Sequence, residues 1–535
     1  MNEEIEEYYE ELYRLYIDEN QPLERRYRQL RESLERVVRE KIQGNSLQTT
    51  DLAARINYVA TQYGLDLKEQ TQLHTFRLTS NDILNHRKSP VKEEFLRDLR
   101  AVAYAYRKMF AQDIPLKLFS VLPKQEIASS GKKEKMEYIR RIRVCFDYAD
   151  DTYLYVHPVD VIADEPIRVV YNKPGINHEF EETIKELWRY AQLNLLDVSV
   201  DRDGIYTPSF IVLEPDYLID ISSLAECYKD YGSHPANYFL SRLVPIDNAR
   251  PLLLGNIANL FLDEWIHADG EVDYISSMKK AFRRYPIELA ACSELTDKER
   301  ERQFFDDCKM HFENIRRMVT DTFASPGYDL NKKDAVLEPA YICEALGLQG
   351  RLDYMQRDMR SFIEMKSGKA DEYAIKGKIE PKENNLVQML LYQAVLQYSM
   401  GVDHRKVRPY LLYTRYPLLY PARTSWALVR RAINLRNRIV ANEFGVQLHN
   451  NIEYTGNLLE QINANTLNEK RLSGRFWEQY LAPSIDGFRG ELQQLTSIEK
   501  AYYLTVYNFI TKEQYTAKSG DIDDDGRAGA AALWR

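Results

Sequence analysis

The sequence predicts a multidomain protein of the mixed α/β class, in the α+β sense, in which helical and β-rich regions follow one another. Its 535 residues suggest several domains, because one domain usually has roughly 100–200 residues. The hydrophobic pattern changes from a helical period to short β-branched and aromatic runs near residue 137, and mixed runs follow after Asp220. We divide the chain into a helical region 1–130, a β-rich, barrel-like region 131–215, a mixed region 216–425, and a helical tail and linker 426–535.

The first region is predicted to be helical. Residues 1–44 carry Glu, Arg and Leu at helical spacing and are interrupted at Pro22, which predicts two helices with a break there. A turn and a capped helix start are expected at 44–51, and more helix to about Met109. No catalytic motif is visible in this region, so we expect an interaction or scaffold module.

The second region is predicted to contain short strands. The runs YIRRIRVCFDYAD, TYLYVHP and IRVVYNKPG are β-branched and aromatic and are separated by turn residues. A helix is expected over 180–196, followed by a strand pair in GIYTPSFIVLEP. A small barrel of this kind can bind a nucleic-acid strand, but a purely structural role is equally compatible with the pattern.

The third region contains two strand-like runs, GLQGRLDYM and RSFIEMKS, that predict a β-hairpin. With a turn at Asp358 and Met359, Asp353 lies directly opposite Glu364, and the two Cβ atoms are ~5 Å apart on one face. Lys366 projects from that same face because side chains alternate along a strand. If the loop is wider, a symmetric widening keeps the same facing pair.

Two facing carboxylates repel each other unless a cation neutralises them. Mg²⁺ prefers one or two carboxylates together with water and a phosphate oxygen, and a neighbouring ammonium such as Lys366 can orient the attacking water. An ordinary charged hairpin is the alternative. The next helix favours the functional interpretation, because Gln388 and Tyr392 share one helix face and can hold a DNA backbone or the lysine.

The order of these residues resembles a known family. Gly350 and Asp353 form G-x-x-D, Glu364 and Lys366 form E-x-K, and Gln388 and Tyr392 form Q-x-x-x-Y. This is the motif series of RecB-type nucleases of the PD-(D/E)xK superfamily. The flanking segments SFIVLEPDYLIDISSLAECY, GNIAN and YYLTVYNFITKEQYTAKSG are similar to parts of the eukaryotic Okazaki-flap nuclease–helicase and its bacterial relatives, so the resemblance covers roughly 205–520.

The resemblance implies a restriction-endonuclease-like mixed-sheet nuclease core in 216–425 and a metal-dependent deoxyribonuclease. The substrate would be single-stranded DNA or DNA ends delivered by a helicase, in DNA repair, replication or anti-phage defence. Asp353, Glu364 and the Met365 carbonyl would bind Mg²⁺ or Mn²⁺, and Lys366 would be the catalytic lysine. Gln388 and Tyr392 would position DNA or the lysine, while Arg351 would bind phosphate or pair with Glu344.

Two departures from the family pattern affect the cofactors. The family commonly has a histidine where this chain has Asn259, and an Asn oxygen is a weaker, harder ligand that favours Mg²⁺ or Mn²⁺. Alternatively, Asn259 is only a polar helix residue, and Asp263 or His267 takes the place of the histidine. Many relatives hold an iron–sulfur cluster with three cysteines after the nuclease motifs. This chain has no cysteine after Cys343, so we expect no cluster.

No phosphate-binding G-x-x-x-x-G-K-[ST] motif occurs, so we expect no ATP site and place the helicase either in the same longer polypeptide or in trans. The rival interpretation is a catalytically weak, nuclease-like DNA-binding scaffold that docks a helicase. An RNA substrate stays open, because no residue is identified that senses a 2′-hydroxyl.

The composition excludes a uniformly basic nucleic-acid coat, because 72 basic and 81 acidic side chains give a formal net charge of −9. A nucleic-acid partner must therefore meet a local basic lining. Two groups of basic residues are candidates for this lining: Lys279, Lys280, Arg283 and Arg284 form the first, and Arg430, Arg431, Arg436 and Arg438 form the second. The second group is spread around its helix, which favours a solvated surface. No stretch reaches the ~18 apolar residues of a membrane span, and the acidic, helical start differs from a leader sequence. We expect a cytoplasmic protein without a membrane partner.

Overall fold

The structure, a computed structural model, describes residues 2–18, 20–42, 52–84, 86–123, 137–159, 166–243, 250–328, 330–373, 378–519, 522–523 and 526–527. The turn expected at 44–51 lies outside these residues. The chain forms two compact units: unit 1 comprises Met1–Ile184, Trp188–Tyr190 and Leu195–Ile211, and unit 2 comprises Lys185–Leu187, Ala191–Asn194 and Val212–Arg535. Both contain helices and strands, which confirms the mixed α/β class. The finer division into four regions stays a prediction.

Unit 1 begins with helices that share one hydrophobic core. They are α1 Asn2–Ile17, α2 Leu23–Lys41, α3 Leu52–Gln62, α4 Leu67–Leu84, α5 Lys92–Phe110 and α6 Leu116–Phe119. The predicted break is confirmed, since Pro22 is the N-cap of α2. Proline suits this place because a helix start needs no N–H from it. Buried aromatic rings join the helices, as where Tyr27 meets Phe95 edge to face at 5.2 Å.

One carboxylate is buried in this helical core. The Oδ1 atom of Asp98 accepts hydrogen bonds from Nε and Nη2 of Arg97, at 2.9 and 2.8 Å. Its Oδ2 atom accepts a hydrogen bond of 3.2 Å from the Tyr27 hydroxyl. Both oxygens therefore have partners, as buried polar groups in folded proteins usually do.

The second part of unit 1 is a small sheet, and the unit boundary runs through two of its strands. Its elements are β1 Glu137–Ala149, β2 Leu154–Pro158, β3 Ile167–Val169, the 3₁₀ turn His178–Phe180, α7 Glu181–Lys185, β4 Gln192–Val200, β5 Tyr206–Thr207 and β6 Phe210–Leu213. The strand order is β1-β2-β3-β5-β4-β6, and β1 also pairs with β4. Five strands thus close on themselves through the pairing of β1 with β4.

The helix predicted over 180–196 is wrong for most of that range. Helix α7 ends at Lys185, Tyr190 has a left-handed φ of 73°, and β4 begins at Gln192. Residues 193–196 are all buried, so this strand has no exposed face. A strand buried on both faces shows no apolar–polar alternation and cannot be distinguished from a helix segment by periodicity.

Unit 2 contains the remaining helices and strands. The elements before its central hairpin are β7 Ile219–Asp220, α8 Ile221–Ala225, α9 Ala236–Leu243, α10 Arg250–His267, α11 Tyr274–Arg284, α12 Pro286–Ala291, α13 Lys298–Arg317 with a π-helical turn Met318–Thr322, β8 Ala335–Leu337, β9 Ala340–Cys343 and β10 Leu348–Arg351. The hairpin and its surroundings are β11 Tyr354–Gln356, β12 Ser361–Lys366, β13 Asp371–Tyr373, β14 Lys378–Glu380, α14 Glu383–Met400, β15 Arg408–Tyr413 and β16 Leu418–Pro421.

The main sheet of unit 2 has the strand order β16-β15-β12-β11-β8. Strands β12 and β15 are parallel and are connected through α14, whereas the other neighbours are antiparallel. On one face, Tyr354, Ile363 and Met365 pack with apolar side chains of α10, α11 and α13. Glu364 and Lys366 alternate with these residues and lie on the opposite face, towards α14. A smaller sheet has the order β7-β10-β9.

Helices dominate the described chain after β16, and two short strands follow them. The elements of this part are α15 Trp426–His449, α16 Ile452–Glu460, α17 Ala464–Leu467, a π-helical turn Trp477–Leu481, α18 Ala482–Gln494, α19 Ser497–Ser519, β17 Ile522–Asp523 and β18 Gly526–Arg527. None of the helices in the described part of the chain has both the length and the apolar character that a membrane crossing requires.

The expected solvated surface on α15 is wrong for Arg430 and Arg436, which are both buried, the latter completely. The guanidinium of Arg436 donates to the backbone carbonyls of Leu213, Glu214, Tyr217 and Gly347. Gly347 has a left-handed φ of 64°, and a Cβ atom there would lie 2.3 Å from the guanidinium. Burial lowers the pKa of Arg436 to about 9. This arginine therefore joins backbone segments of unit 2 and is not available to a ligand.

Candidate functional site

The predicted hairpin register is confirmed. Tyr354 pairs with Ile363 and Met355 pairs with Phe362, so continuation of the same register places Asp353 opposite Glu364. The loop is wider than the two-residue turn first considered, because β11 ends at Gln356 and β12 begins at Ser361. Met359 has a left-handed φ of 58°, and its N–H donates to the Gln356 carbonyl at 2.8 Å.

The run GLQGRLDYM is two strands and not one. Strand β10 belongs to the smaller sheet and β11 to the main sheet, and Asp353 lies between them. Leu352 N donates to the Pro339 carbonyl, and Glu338 N donates to the Asp353 carbonyl, both at 3.1 Å. These bonds fix the chain where it passes from one sheet to the other. Asp353 is consequently held at a sheet junction and is not part of a regular ladder.

Glu364, Lys366 and Gln388 form one hydrogen-bonded group. The ammonium of Lys366 donates to Glu364 Oε1 at 3.1 Å and to Gln388 Oε1 at 2.7 Å. The Gln388 amide nitrogen in turn donates to Glu364 Oε1 at 2.6 Å. Gln388 therefore contacts the lysine, which is one of the two roles that the sequence analysis left open for it.

Asp353 is bound to the strand that carries the glutamate. Its Oδ2 atom accepts a hydrogen bond of 2.6 Å from the backbone N–H of Met365. In an extended strand the N–H and C=O of one residue lie on the same edge. The Met365 carbonyl, predicted as a metal ligand, is thus on the edge that Asp353 occupies.

The electrostatics of the site follow from burial. Burial raises the pKa of Asp353 to about 6, against the lowering effect of the Met365 N–H and of Lys366. Burial raises the pKa of Glu364 to about 8, and the facing Asp353 adds to that shift. For Lys366, burial alone would lower the pKa, but Glu364 and Asp353 together raise it above its ordinary value. The two acids are therefore costly to ionise side by side until further positive charge is bound.

The two carboxylates fit a divalent cation. Glu364 Oε2 is buried and has no hydrogen-bond partner among the described residues, and a buried unsatisfied oxygen of this kind is destabilising unless a ligand binds it. No group of three histidine, cysteine, aspartate or glutamate side chains in the described ranges is arranged to hold a metal ion. A cation at the pair would therefore need the Met365 carbonyl, an amide oxygen or water to complete its shell, as Mg²⁺ commonly does.

Helix α10 borders the site through residues spaced by four, which share one face. A Cβ atom on Gly255 would lie 3.3 Å from Ser367 Oγ, directly after Lys366. Burial raises the pKa of Asp263, and the nearby Glu338 carboxylate adds to that shift. Asn259 lies between these two residues and is half-buried. Metal binding by Asn259 stays a prediction, as does its replacement by Asp263 or His267.

Tyr392 lies on the same face of α14 as Gln388, but its hydroxyl binds a backbone carbonyl and not Lys366. Its hydroxyl donates to the Arg351 carbonyl at 2.7 Å. A Cβ atom on Gly350 would lie 2.9 Å from this hydroxyl, so any larger residue before Arg351 would displace the Tyr392 side chain. The guanidinium of Arg351 lies 3.4 Å from the carboxylate of Glu338, so the expected partner Glu344 is wrong. DNA binding by Arg351, Gln388 and Tyr392 stays a prediction.

One residue of the site was not identified from the sequence. The Gln388 amide nitrogen also donates to Ser222 Oγ at 3.0 Å. Ser222 is in the first turn of α8, more than one hundred residues before the hairpin. The sequence of DISSLAECY indicates only a similarity that flanks the motifs, and a serine at a helix start is usually a local feature.

Two comparisons with known proteins found no match. No protein-family model matches this chain, and no curated protein matches it either. The resemblance to RecB-type nucleases therefore stays a prediction from the motif residues.

Proposed function

We propose that the protein is a Mg²⁺- or Mn²⁺-dependent deoxyribonuclease with a restriction-endonuclease-like core in unit 2. The observation that carries the proposal is the buried, unpartnered Oε2 of Glu364 beside Asp353 and Lys366. An acid pair of this kind is an unfavourable arrangement for the fold alone. It becomes favourable when a cation binds, and hard divalent cations prefer such oxygen ligands.

The proposed metal ligands are Asp353, Glu364 and the Met365 carbonyl, with Asn259 as a further candidate. When bound, the cation would polarise the phosphodiester and favour deprotonation of the attacking water. Lys366 has three N–H donors, of which two bind Glu364 and Gln388. Its third N–H is available to orient the water or to bind a phosphate oxygen, so Glu364 and Gln388 aim the ammonium at the substrate.

The proposed substrate is DNA, as single strands or as ends that a helicase delivers. The helicase would be part of the same longer polypeptide or a separate protein, and the process would be DNA repair, replication or anti-phage defence. These proposals are supported by the order of the motifs G-x-x-D, E-x-K and Q-x-x-x-Y. The absence of an iron–sulfur cluster and the absence of an ATP site are proposals as well: no cysteine follows Cys343, and the sequence has no G-x-x-x-x-G-K-[ST] motif.

The test is cleavage of labelled single-stranded DNA by the wild-type protein and by Asp353→Ala and Lys366→Ala. Both variants should lose Mg²⁺-dependent cleavage, by about 10³-fold or more, because the metal site and the charge-stabilising donor are removed. Binding of the same DNA without metal should stay largely intact. Full activity of both purified variants would refute the assignment.

The rival function, a nuclease-like scaffold that binds DNA and docks a helicase, is distinguished by the wild-type protein alone. Absence of product with Mg²⁺ and with Mn²⁺, together with retained DNA binding, would favour the scaffold. Cleavage of RNA at the same rate as DNA would broaden the substrate class without changing the metal site.

A further inference from the structure

Ser222 is placed next to the site by two local features. Strand β7 pairs in parallel with β10, with Ile219 beside Leu348, and β10 leads directly to Asp353. The chain then turns into α8, where Asp220 caps the helix by accepting a hydrogen bond of 3.0 Å from Ser223 N. Since the strand pairing and the Asp220 cap fix both sides of the turn, contacts on either side of Ser222 define its position.

Ser222 is one of the hydrogen-bond partners that hold the buried amide of Gln388. One amide hydrogen binds Glu364 and the other binds Ser222, while the amide oxygen accepts from Lys366. A reversed amide would direct N–H groups at the Lys366 ammonium, where two donors would meet. Because Gln388 is buried, loss of the Ser222 acceptor would leave a buried N–H unsatisfied.

The hydroxyl of Ser222 also has an unused donor. Ser222 is exposed, in contrast to Gln388 behind it. A serine hydroxyl carries one hydrogen that rotates to suit its acceptor, and no described residue accepts it. The open side of Ser222 therefore presents an O–H group one amide away from Lys366.

We infer that Ser222 is a substrate-positioning residue: it anchors the Gln388 amide on its buried side and donates its hydroxyl to a phosphate oxygen of the bound strand. The inference rests on the proposed function, because the bound strand is the proposed substrate. It adds a residue that none of the three motifs contains. It also gives a role to an exposed serine that contacts the buried amide of Gln388.

The first experiment compares Ser222→Ala with Ser222→Thr and with the neighbour Ser223→Ala. Removal of the hydroxyl should lower kcat/KM for single-stranded DNA by about 10-fold, as expected for a lost hydrogen bond to a charged group. Threonine keeps a hydroxyl and should restore kcat/KM to within about threefold of wild type, and Ser223→Ala should stay within about twofold. Equal kcat/KM for Ser222→Ala and Ser223→Ala would overturn the inference.

The second experiment separates the two contacts of Ser222 by adding Ser222→Ala to Gln388→Ala. If Ser222 contacts the strand, its removal should weaken binding of a fluorescent single-stranded oligonucleotide by about threefold even without Gln388. If Ser222 acted only through Gln388, the affinity would not change, and the phosphate contact would be refuted. This readout needs no cleavage, so it decides the role of Ser222 even if the wild-type protein proves inactive and the proposed function fails.

Discussion

Two buried carboxylates of this protein differ in what surrounds them. Asp98 in the helical core of unit 1 is 1 % exposed, and Glu364 in the main sheet of unit 2 is 3 % exposed. Burial raises the pKa of Asp98 to about 6 and that of Glu364 to about 8. Asp98 has hydrogen-bond partners on both oxygens, whereas Glu364 Oε2 has none among the described residues.

The neighbouring charges explain the difference. Arg97 lies against Asp98 and opposes the effect of burial on its pKa. Glu364 faces a second acid, Asp353, which adds to the effect of burial on its pKa, while Lys366 opposes both. The comparison teaches that burial alone does not mark a functional acid. An acid that the fold leaves incompletely neutralised and incompletely hydrogen-bonded is the better candidate.

The largest expected effect is a difference in cleavage activity between variants of Glu364 and of Asp98. Glu364→Gln should lower Mg²⁺-dependent cleavage by about 10³-fold or more, because a carboxylate ligand is lost without a change of shape. Asp98→Ala should leave kcat/KM per folded molecule unchanged, since no contact of Asp98 reaches the site. Steady-state cleavage of single-stranded DNA measures both. The comparison fails if the two variants are equally active.

The next effect separates the acids by stability without metal at pH 8. Glu364→Gln should raise the free energy of unfolding by about 1–3 kcal/mol, because an ionised carboxylate no longer needs to be buried beside Asp353. Asp98→Ala should lower it by about 2–3 kcal/mol, because Arg97 and Tyr27 lose their partner. Denaturant unfolding followed by circular dichroism in EDTA measures these changes.

The pH dependence of the free energy of unfolding is the control for the effect of Glu364→Gln. The pKa of Glu364 is raised in the folded protein, so its favourable contribution is fully present below the unfolded value of about 4.5 and is lost as the pH rises through about 8. The advantage of Glu364→Gln should therefore disappear near pH 4.5. Saturating Mg²⁺ should stabilise the wild-type protein more than the variant. An advantage that is constant with pH and unaffected by Mg²⁺ would contradict the role of the acid pair.

The smallest effect concerns Glu338, a third acid that neighbours Asp353 but is only half-buried. It lies 3.4 Å from Arg351, whose side chain is 65 % exposed, and exposed ion pairs contribute little to stability. Glu338→Gln should change the free energy of unfolding by about 0.5 kcal/mol or less. The same unfolding measurement tests it. A change as large as that of Glu364→Gln would show that proximity to Asp353, and not burial with missing hydrogen-bond partners, determines how much an acid destabilises the fold.

Several features of the site could be predicted from the sequence because they depend on local periodicity. The facing pair Asp353 and Glu364 followed from a side-chain period of two and a symmetric loop. The shared face of Gln388 and Tyr392 followed from the helical period. The prediction of a helix over 180–196 was wrong because both faces of β4 are buried, so the sequence there carries no periodic signal.

The sequence by itself determined the hairpin register, the order of the motifs and the helical regions, since these depend on neighbouring residues and on spacing along one strand or helix. Only the tertiary structure decided that Asp353 lies at a junction of two sheets, that Ser222 meets Gln388 and that Arg436 is buried. Each of these depends on segments far apart in the chain. Burial and hydrogen-bond partners arise only when such segments pack together, and no local pattern encodes which of them will meet.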